Sequence, residues 1–479
     1  MSETLLDCMF HPRSIAVVGA SNNIESHGHN HMNFQLTYGF KGEVYPINPR
    51  QTEILGRKAY PSLADVPGDI DHVIIAVGIQ NVPDILTQAA GKGVRSMHIY
   101  SGRASETGRP EAIALDQEIL KRAKQYGIRI LGPNALGFFC PGSGIAFGYD
   151  FPEQPGHVGA MMQSGANSTD LCHLAKLRGV KFSKVISYGN ALDINEVDLF
   201  EYFIDDPDTE LLLCYIEGLR CTPDKYLELL RRATARKPVI VCHGGRTRAG
   251  TRFSAGHNAS RSDMGKDIWA GPVQETGASL IRTIDDMVDV TVAFSQLPPI
   301  KGFKLGTGGG GGGNCALYSD EWEENGFTLP PLPQEIRQEF KRRGSEAWDW
   351  MNNPADYSIV APGDAYTVPA ALAEMAKHPD YDFIVGYVGE DFPFKVETLE
   401  KEIMTNAEEY IKVAKQSQKP FFAIVRDRSL GIREFDSLRH KVYARVRTRF
   451  LEEGIAFFPS VGQAAKAIKE YIGYCNKQK

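Results

Sequence analysis

Ser14-Ile-Ala-Val-Val-Gly-Ala-Ser-Asn22 is the stretch whose reading decides the fold. Ile15–Val18 is a short apolar run, as a buried strand requires, and it breaks at Gly19 into small and polar residues. Similar runs follow at Val44-Tyr-Pro-Ile47, His72-Val-Ile-Ile-Ala-Val77, Met97-His-Ile-Tyr100 and Ile128-Arg-Ile-Leu131. Between them, Val82–Lys92 and Glu111–Tyr126 carry apolar residues at helical spacing. Strands alternating with helices predict βαβ units and a parallel sheet over residues 1–140.

The pattern restarts further on. Val158–Met162, Lys184–Ser187, Leu211–Ile216 and Pro238–Val241 read as strands, with helices at Gly165–Arg178, Asp198–Ile204 and Asp224–Thr234. This second α/β block, 141–297, ends before Pro298-Pro299, a natural break. The third, 298–479, opens with a strand at Phe303–Leu305, the glycine run 308–313 and a helix to Asn325. Strands at Phe383–Tyr387 and Phe421–Val425, a helix at Lys441–Glu453 and a C-terminal amphipathic helix complete it. At 479 residues the chain has room for three such domains.

Composition excludes several classes of function. The net charge of −6 argues against a basic face for nucleic acid. No apolar run is long enough to cross a membrane, and Met1–Phe10 lacks the pattern of a signal peptide. The eight cysteines lack CxxC pairing, which suits a reducing cytoplasm.

Ligands of doubly wound sheets bind at the carboxyl ends of strands. In the first block those ends carry Gly19-Ala20-Ser21, Asn48-Pro49-Arg50, Val77-Gly78 and Gly132-Pro133-Asn134. A glycine there lets a phosphate approach the backbone, and Arg50 is a candidate phosphate contact. Taken singly, the first loop is equally a plain turn and Arg50 a surface arginine. Gly19 is not followed by glycine at position 21, so the dinucleotide fingerprint is missing and a nicotinamide dehydrogenase is disfavoured.

In the second block, Gln163-Ser164-Gly165-Ala166 sits where a strand passes into a helix, whose first N–H groups attract an anion. Ser164 also fits an N-cap. His257 stands among small residues in Ala255-Gly-His-Asn-Ala-Ser260, expected to be an accessible loop; from spacing alone a surface histidine is the plainer reading. Glu217 closes a predicted strand, where a carboxylate can fix the tautomer of an imidazole. His27, His29 and His31 alternate but lack the Cys or acidic partners of a metal site, so no metal is expected on this chain. The glycine run reads as a phosphate cradle or a linker, and it lacks the lysine of a P-loop. The aromatics of Phe138–Phe151 read as core, or as a pocket for an acid larger than acetate.

Taken together, these motifs resemble the NDP-forming (ADP-forming) acyl-CoA synthetases, alpha-type subunit. Phe10-His-Pro-Arg-Ser-Ile-Ala-Val-Val-Gly-Ala-Ser21, Val44–Arg50 and Leu131-Gly-Pro-Asn-Ala-Leu-Gly137 are similar to their CoA-binding domain. Gln163–Ala166, Phe182–Asn190, Asp206–Thr209, Tyr215-Ile-Glu-Gly218 and Gly245–Gly250 with Gly256-His257 resemble the second domain and its phosphohistidine loop. The glycine run and Asn353-Pro-Ala-Asp356 resemble the third. The succinyl-CoA synthetase alpha subunit is a more distant relative.

The resemblance implies a Rossmann-like CoA-binding domain followed by two flavodoxin-like, succinyl-CoA ligase-type domains. It implies His257 as phosphate carrier, Glu217 as its orienting carboxylate, and Ser164, Gly165 and Ala166 as the phosphate cradle. Gly19, Ala20, Ser21, Asn48, Pro49, Arg50, Val77, Gly78, Ser101 and Asn134 would line the CoA site. No block reads as an ATP-grasp module, so it implies a separate ATP-grasp beta subunit, in a heterotetramer, holding magnesium and ADP or ATP. Coenzyme A and a carboxylic acid would be the substrates. Departures from the family pattern are Asn258-Ala259 and Arg261-Ser262-Asp263 after the carrier, Ser101-Gly-Arg103, and Ala135 in place of a cysteine. They motivate a rival expectation, a CoA-binding scaffold or regulator with an altered site.

Overall fold

The computed structural model describes residues 5–257, 268–269, 271–388, 396–426 and 437–477. The chain forms two compact units, 1–287 and 288–479, and the division falls inside the helix Ile284–Gln296.

The first unit contains two parallel sheets built on one plan. The first sheet comprises β1 (Ser14–Val18), β2 (Glu43–Ile47), β5 (His72–Ile75), β6 (Ser96–Ile99) and β7 (Arg129–Leu131), in the order β2-β1-β5-β6-β7. Two short strands, β3 (Glu53–Ile54) and β4 (Arg57–Lys58), make a separate hairpin. The second sheet comprises β8 (Gly137–Phe139), β9 (Val158–Met162), β10 (Phe182–Ser187), β11 (Leu211–Ile216), β12 (Val239–His243) and β13 (Ser279–Ile281). Its order is β13-β12-β11-β9-β10-β8, with only β8 antiparallel. In both sheets the leading parallel strand lies inside and later strands are added on either side. This creates a switch point at the carboxyl ends next to β1 and next to β9.

The strands form where the sequence is continuously apolar. Ile15, Ala16 and Val17 are wholly buried, as are Leu212, Leu213 and Cys214. A parallel sheet covered on both faces selects such runs over alternating ones. The helices start and stop on side chains suited to the task. Ser26 caps His27–Thr37 by accepting from the His29 N–H, and Asn195 and Asp198 form a capping box on Glu196–Asp205. Pro110 opens Pro110–Tyr126, and Gly127, at φ +67°, closes it.

Periodicity alone does not reveal the helix His27–Thr37. It carries the alternating histidines, whose rings meet Tyr100, the Ser21 carbonyl and His98 rather than one another's ligand positions. The helix packs directly onto the first loop. A Cβ at Gly28 would lie 1.8 Å from the Gly19 carbonyl oxygen, so glycine is the residue that permits this approach.

β8 pairs with β10, so the chain has crossed to the second sheet by residue 139, and the two sheets share one core. Phe10, Ile15 and Phe138 belong to the same buried cluster as Met161, Phe203 and Val241. Phe138, Phe139, Phe147 and Phe151 are buried and packed against other rings, which makes them core residues.

Among the described residues, the second unit has four parallel strands in chain order: β14 (Leu305–Gly308), β15 (Phe383–Val388), β16 (Phe421–Val425) and β17 (Phe457–Phe458). β14 begins two residues later than predicted and runs into the glycine stretch. A Cβ at Gly308 would lie 2.7 Å from that of Ala355, so the strand tolerates only glycine there. Gly309 and Gly310 then turn with positive φ, and the helix Gly312–Glu324 follows.

Three histidines are buried in the first sheet and its covering helix. Burial pushes His72 down to about 3 and His98 to about 4, and holds His31 well below the ordinary value. In the unfolded chain they take up protons below about pH 6.5, while the folded ones stay neutral. Stability present above that pH is therefore lost as pH falls towards 4. Urea unfolding across this window is expected to show a steep fall in stability, and His72→Gln is expected to make it shallower. An unchanged slope would contradict the assignment.

Candidate functional site

The parallel strands of the second sheet deliver their carboxyl ends to one edge, and four segments converge there. β9 passes through Gln163 into the helix Gly165–Leu177. β11 ends at Ile216, immediately before Glu217. β12 leads through Gly244-Gly245 into the helix Arg248–His257. Ser164, Ala166, Asn167, Tyr215, Glu217 and His257 line one open cleft of about 840 Å³.

Within it, His257 Nδ1 lies 3.0 Å from Glu217 Oε2 and 3.2 Å from Oε1. The carboxylate is 5% exposed and the imidazole 36%. The hydrogen bond to Glu217 raises the His257 pKa, burial opposes this, and the charge of Glu217 adds to the rise. The position at a helix C-terminus also favours a cation. Nδ1 faces the carboxylate, so Nε2 is the ring nitrogen that does not face it. His257 closes the last turn of a helix rather than lying in the loop expected from its small neighbours. Asn258, Ala259, Arg261, Ser262 and Asp263, where the sequence departs from the family pattern, lie outside the described residues.

Two buried side chains hold Glu217 in place. Gln163 is wholly buried, and its Oε1 accepts from the N–H groups of Glu217, at 2.7 Å, and Gly218, at 3.1 Å. Its Nε2 donates to the Gly218 carbonyl at 3.2 Å. Further along the turn, Glu196 Oε1 accepts from the N–H groups of Arg220 and Cys221. The Tyr215 hydroxyl donates to Glu217 Oε1 at 3.1 Å. Sequence reasoning assigned no role to Gln163, Tyr215 or Glu196. Tyr215 could have been found, because the two-residue period of a strand puts it on the same face as Glu217.

Ser164 caps the helix at the cleft, its hydroxyl accepting from the Asn167 N–H at 3.4 Å. The N–H groups of Gly165 and Ala166 fall in the first turn, where helical N–H groups have no intrahelical acceptor.

The residues expected at the CoA site lie along the carboxyl edge of the first sheet. Asn48 Nδ2 donates to the Ala20 carbonyl at 2.8 Å, and its Oδ1 accepts from the Arg50 N–H. Pro49, Arg50 and Gly78 are exposed, while Gly19, Ser21 and Val77 are half-buried. The Ser21 hydroxyl caps the next turn at Asn23. The Ser101 carbonyl accepts from the Asn134 N–H, and its hydroxyl oxygen is buried without a hydrogen-bond partner among the described residues. Asn134, at φ +56°, reaches across to donate to the His257 carbonyl at 3.2 Å. The two sheet edges therefore meet beside the histidine, a juxtaposition that could not be read from spacing.

Residues 13–141 match the family model of a CoA-binding domain, and residues 155–294 that of a succinyl-CoA ligase-like flavodoxin domain. The chain is 32% identical over 382 residues to the alpha subunit of ADP-forming acetate–CoA ligase II of Pyrococcus furiosus, covering 80% of this chain and 82% of that one. It is 36% identical over 334 residues to an ADP-forming acetate–CoA ligase of Methanocaldococcus jannaschii, a match covering 69% of this chain but only 46% of that longer protein. Among solved structures, a dinucleotide-forming acetyl-coenzyme A synthetase 1 of Ca. Korarchaeum cryptofilum, in complex with phosphate and ADP, is similar with a TM-score of 0.77 and 29% identity. That likeness covers 98% of this chain and 97% of that one.

Gln163→Ala removes three hydrogen bonds from a buried turn and leaves two backbone N–H groups without their acceptor. Denaturant unfolding is expected to show a loss of about 2–3 kcal/mol. The low-field proton resonance of the His257–Glu217 bond is expected to broaden or vanish. A wild-type stability and resonance would show that Gln163 does not position the carboxylate.

Proposed function

Because the chain belongs to the alpha-subunit family of the ADP-forming acetate–CoA ligases, we propose that it handles coenzyme A and carries phosphate on His257 within an ADP-forming acid–thiol ligase. The observation that carries this reading is the Nδ1 contact of His257 with a nearly buried carboxylate, in a cleft shared with a capped helix N-terminus. The complete enzyme interconverts an acyl-CoA, a nucleoside diphosphate and phosphate with a free acid, CoA and a nucleoside triphosphate.

CoA binds along the edge bearing Gly19, Ala20, Ser21, Asn48, Pro49, Arg50, Val77, Gly78, Ser101 and Asn134. Phosphate attacks the thioester carbonyl, the CoA thiolate leaves, and an acyl phosphate forms. Nε2 of His257 attacks its phosphorus, a nitrogen–phosphorus bond forms, and the carboxylate leaves with the electrons of the broken phosphorus–oxygen bond. Nδ1 keeps its proton, and the Glu217 charge offsets the positive imidazole. The N–H groups after Ser164 face the phosphoryl oxygens, where a fixed dipole favours the charge that develops. The transfer to nucleoside diphosphate takes place on an ATP-grasp beta subunit, together with magnesium. Support for a partner comes from the Pyrococcus relative, which is an alpha subunit, and from the greater length of the Methanocaldococcus relative. We place the protein in the cytoplasm, which its cysteines, spaced without CxxC pairs, suit.

The full chain, given acyl-CoA and radiolabelled phosphate, is expected to acquire acid-labile label, and His257→Ala none. An unlabelled wild type that still binds CoA would favour a catalytically silent scaffold. Label that persists in His257→Ala would move the carrier elsewhere.

A second outcome concerns pH. Glu217 raises the pKa of His257, so the labelling rate is expected to climb with pH as the imidazole loses its proton. Glu217→Gln removes the anion, which moves that climb to lower pH while lowering the plateau by about two orders of magnitude. A climb that stays in place would show that Glu217 does not govern the imidazole.

A further inference from the structure

We propose that Tyr215 is a positioning residue of the transfer site, its hydroxyl holding the Glu217 carboxylate and tempering that carboxylate's pull on His257. The inference deepens, and rests on, the reading of His257 as the phosphate carrier.

The geometry places this hydroxyl at the junction of three elements. Tyr215 and Glu217 are two residues apart, so they share a face at the end of β11, and the hydroxyl donates to Oε1 at 3.1 Å. Asn167, from the first turn of the helix Gly165–Leu177, lines the same cleft as this tyrosine. Gly244, just after β12, lies against it: a Cβ there would sit 2.5 Å from the hydroxyl oxygen and 3.1 Å from Glu217 Cγ. Burial, then the neighbouring Glu217 charge, keeps the phenol protonated, so it serves as a donor throughout the working pH range.

A carboxylate that accepts a hydrogen bond from a neutral donor has its anionic form stabilised and is a weaker base towards a second partner. Tyr215 and His257 compete for Oε1, which lies 3.1 Å from the hydroxyl and 3.2 Å from Nδ1. The hydroxyl therefore limits how strongly Glu217 favours the imidazolium, and Nε2 is freed of its proton at lower pH. It also holds the phosphorylated, positively charged ring less tightly. When the phosphorylated imidazole moves on, the hydroxyl stays on Oε1, giving the buried carboxylate a fixed dipole in place of the departing partner.

Among the described residues, other charged or titratable groups around Tyr215, Glu217 and His257 include Glu106, Tyr188, Cys242, His243, Arg246 and Arg252. None of them is altered by a change at position 215, so a shift on removing the hydroxyl reports on the hydroxyl.

The test is an NMR titration of His257 in the full chain labelled at histidine, with His257→Ala identifying the resonance. Tyr215→Phe keeps the ring and removes the donor. It is expected to raise the titration midpoint by about half a unit, a roughly threefold gain in proton affinity. The climb of the labelling rate is expected to move to higher pH by the same amount. Gly244→Ala retains the hydroxyl but pushes it off the carboxylate, and is expected to shift the midpoint in the same direction even if Tyr215→Phe folds poorly. A midpoint that stays put in both variants, or falls, overturns the proposal. If wild-type protein takes up no label, the carrier reading fails on its own, while the titration still decides whether Tyr215 acts on the pair.

Discussion

A carboxylate 5% exposed, facing an imidazole 36% exposed across 3.0 Å, is the contact on which the site is organised. A buried carboxylate is costly unless its charge is met by donors in good geometry. The surroundings meet that demand from several directions. The turn bearing Glu217 is pinned by the wholly buried Gln163, just after β9, and, three and four residues on, by Glu196. The result is an anion fixed on a strand end beside a half-exposed histidine at the end of a helix. The rigid partner is the buried one, and the accessible partner is the one that must meet other molecules.

The sheet topology explains why these groups can converge. In each sheet of the first unit the leading parallel strand lies inside, so loops on either side leave in opposite directions and open a crevice at the carboxyl edge. β9 contributes the helix start, β11 the carboxylate and β12 the helix that ends in the histidine. The first sheet offers its own edge beside this one, and Asn134 bridges the two by donating to the His257 carbonyl. Two ligand edges built on the same plan thus meet at one residue. That arrangement suits chemistry in which a group passes from one bound molecule to a carrier.

Much of the fold was legible because it rests on local rules. Val158–Met162, Leu211–Ile216 and Phe421–Val425 are strands with the boundaries that their apolar runs suggest. A parallel sheet buried on both faces leaves that signature directly in the sequence. Ser164 could be read as a cap, and is one, because capping needs only a short polar side chain next to a helix start. The helix His27–Thr37 was not legible, since its polar histidines mask the helical period and its place depends on Gly28 fitting against Gly19. The loop expected around His257 is helical up to that residue. Small side chains that look like loop material also fit a helix packed over a glycine turn.

The sequence by itself determined the strands, the order of the motifs and the residue types at each carboxyl edge, because hydrophobic periodicity and turn chemistry act over a few residues. Only the tertiary structure decided which of those residues meet. Glu217 and His257 are 40 residues apart, Gln163 and Glu217 are 54 apart, and Asn134 and His257 are 123 apart. Such contacts follow from strand order and helix packing, which depend on the whole core at once, so no local pattern records them.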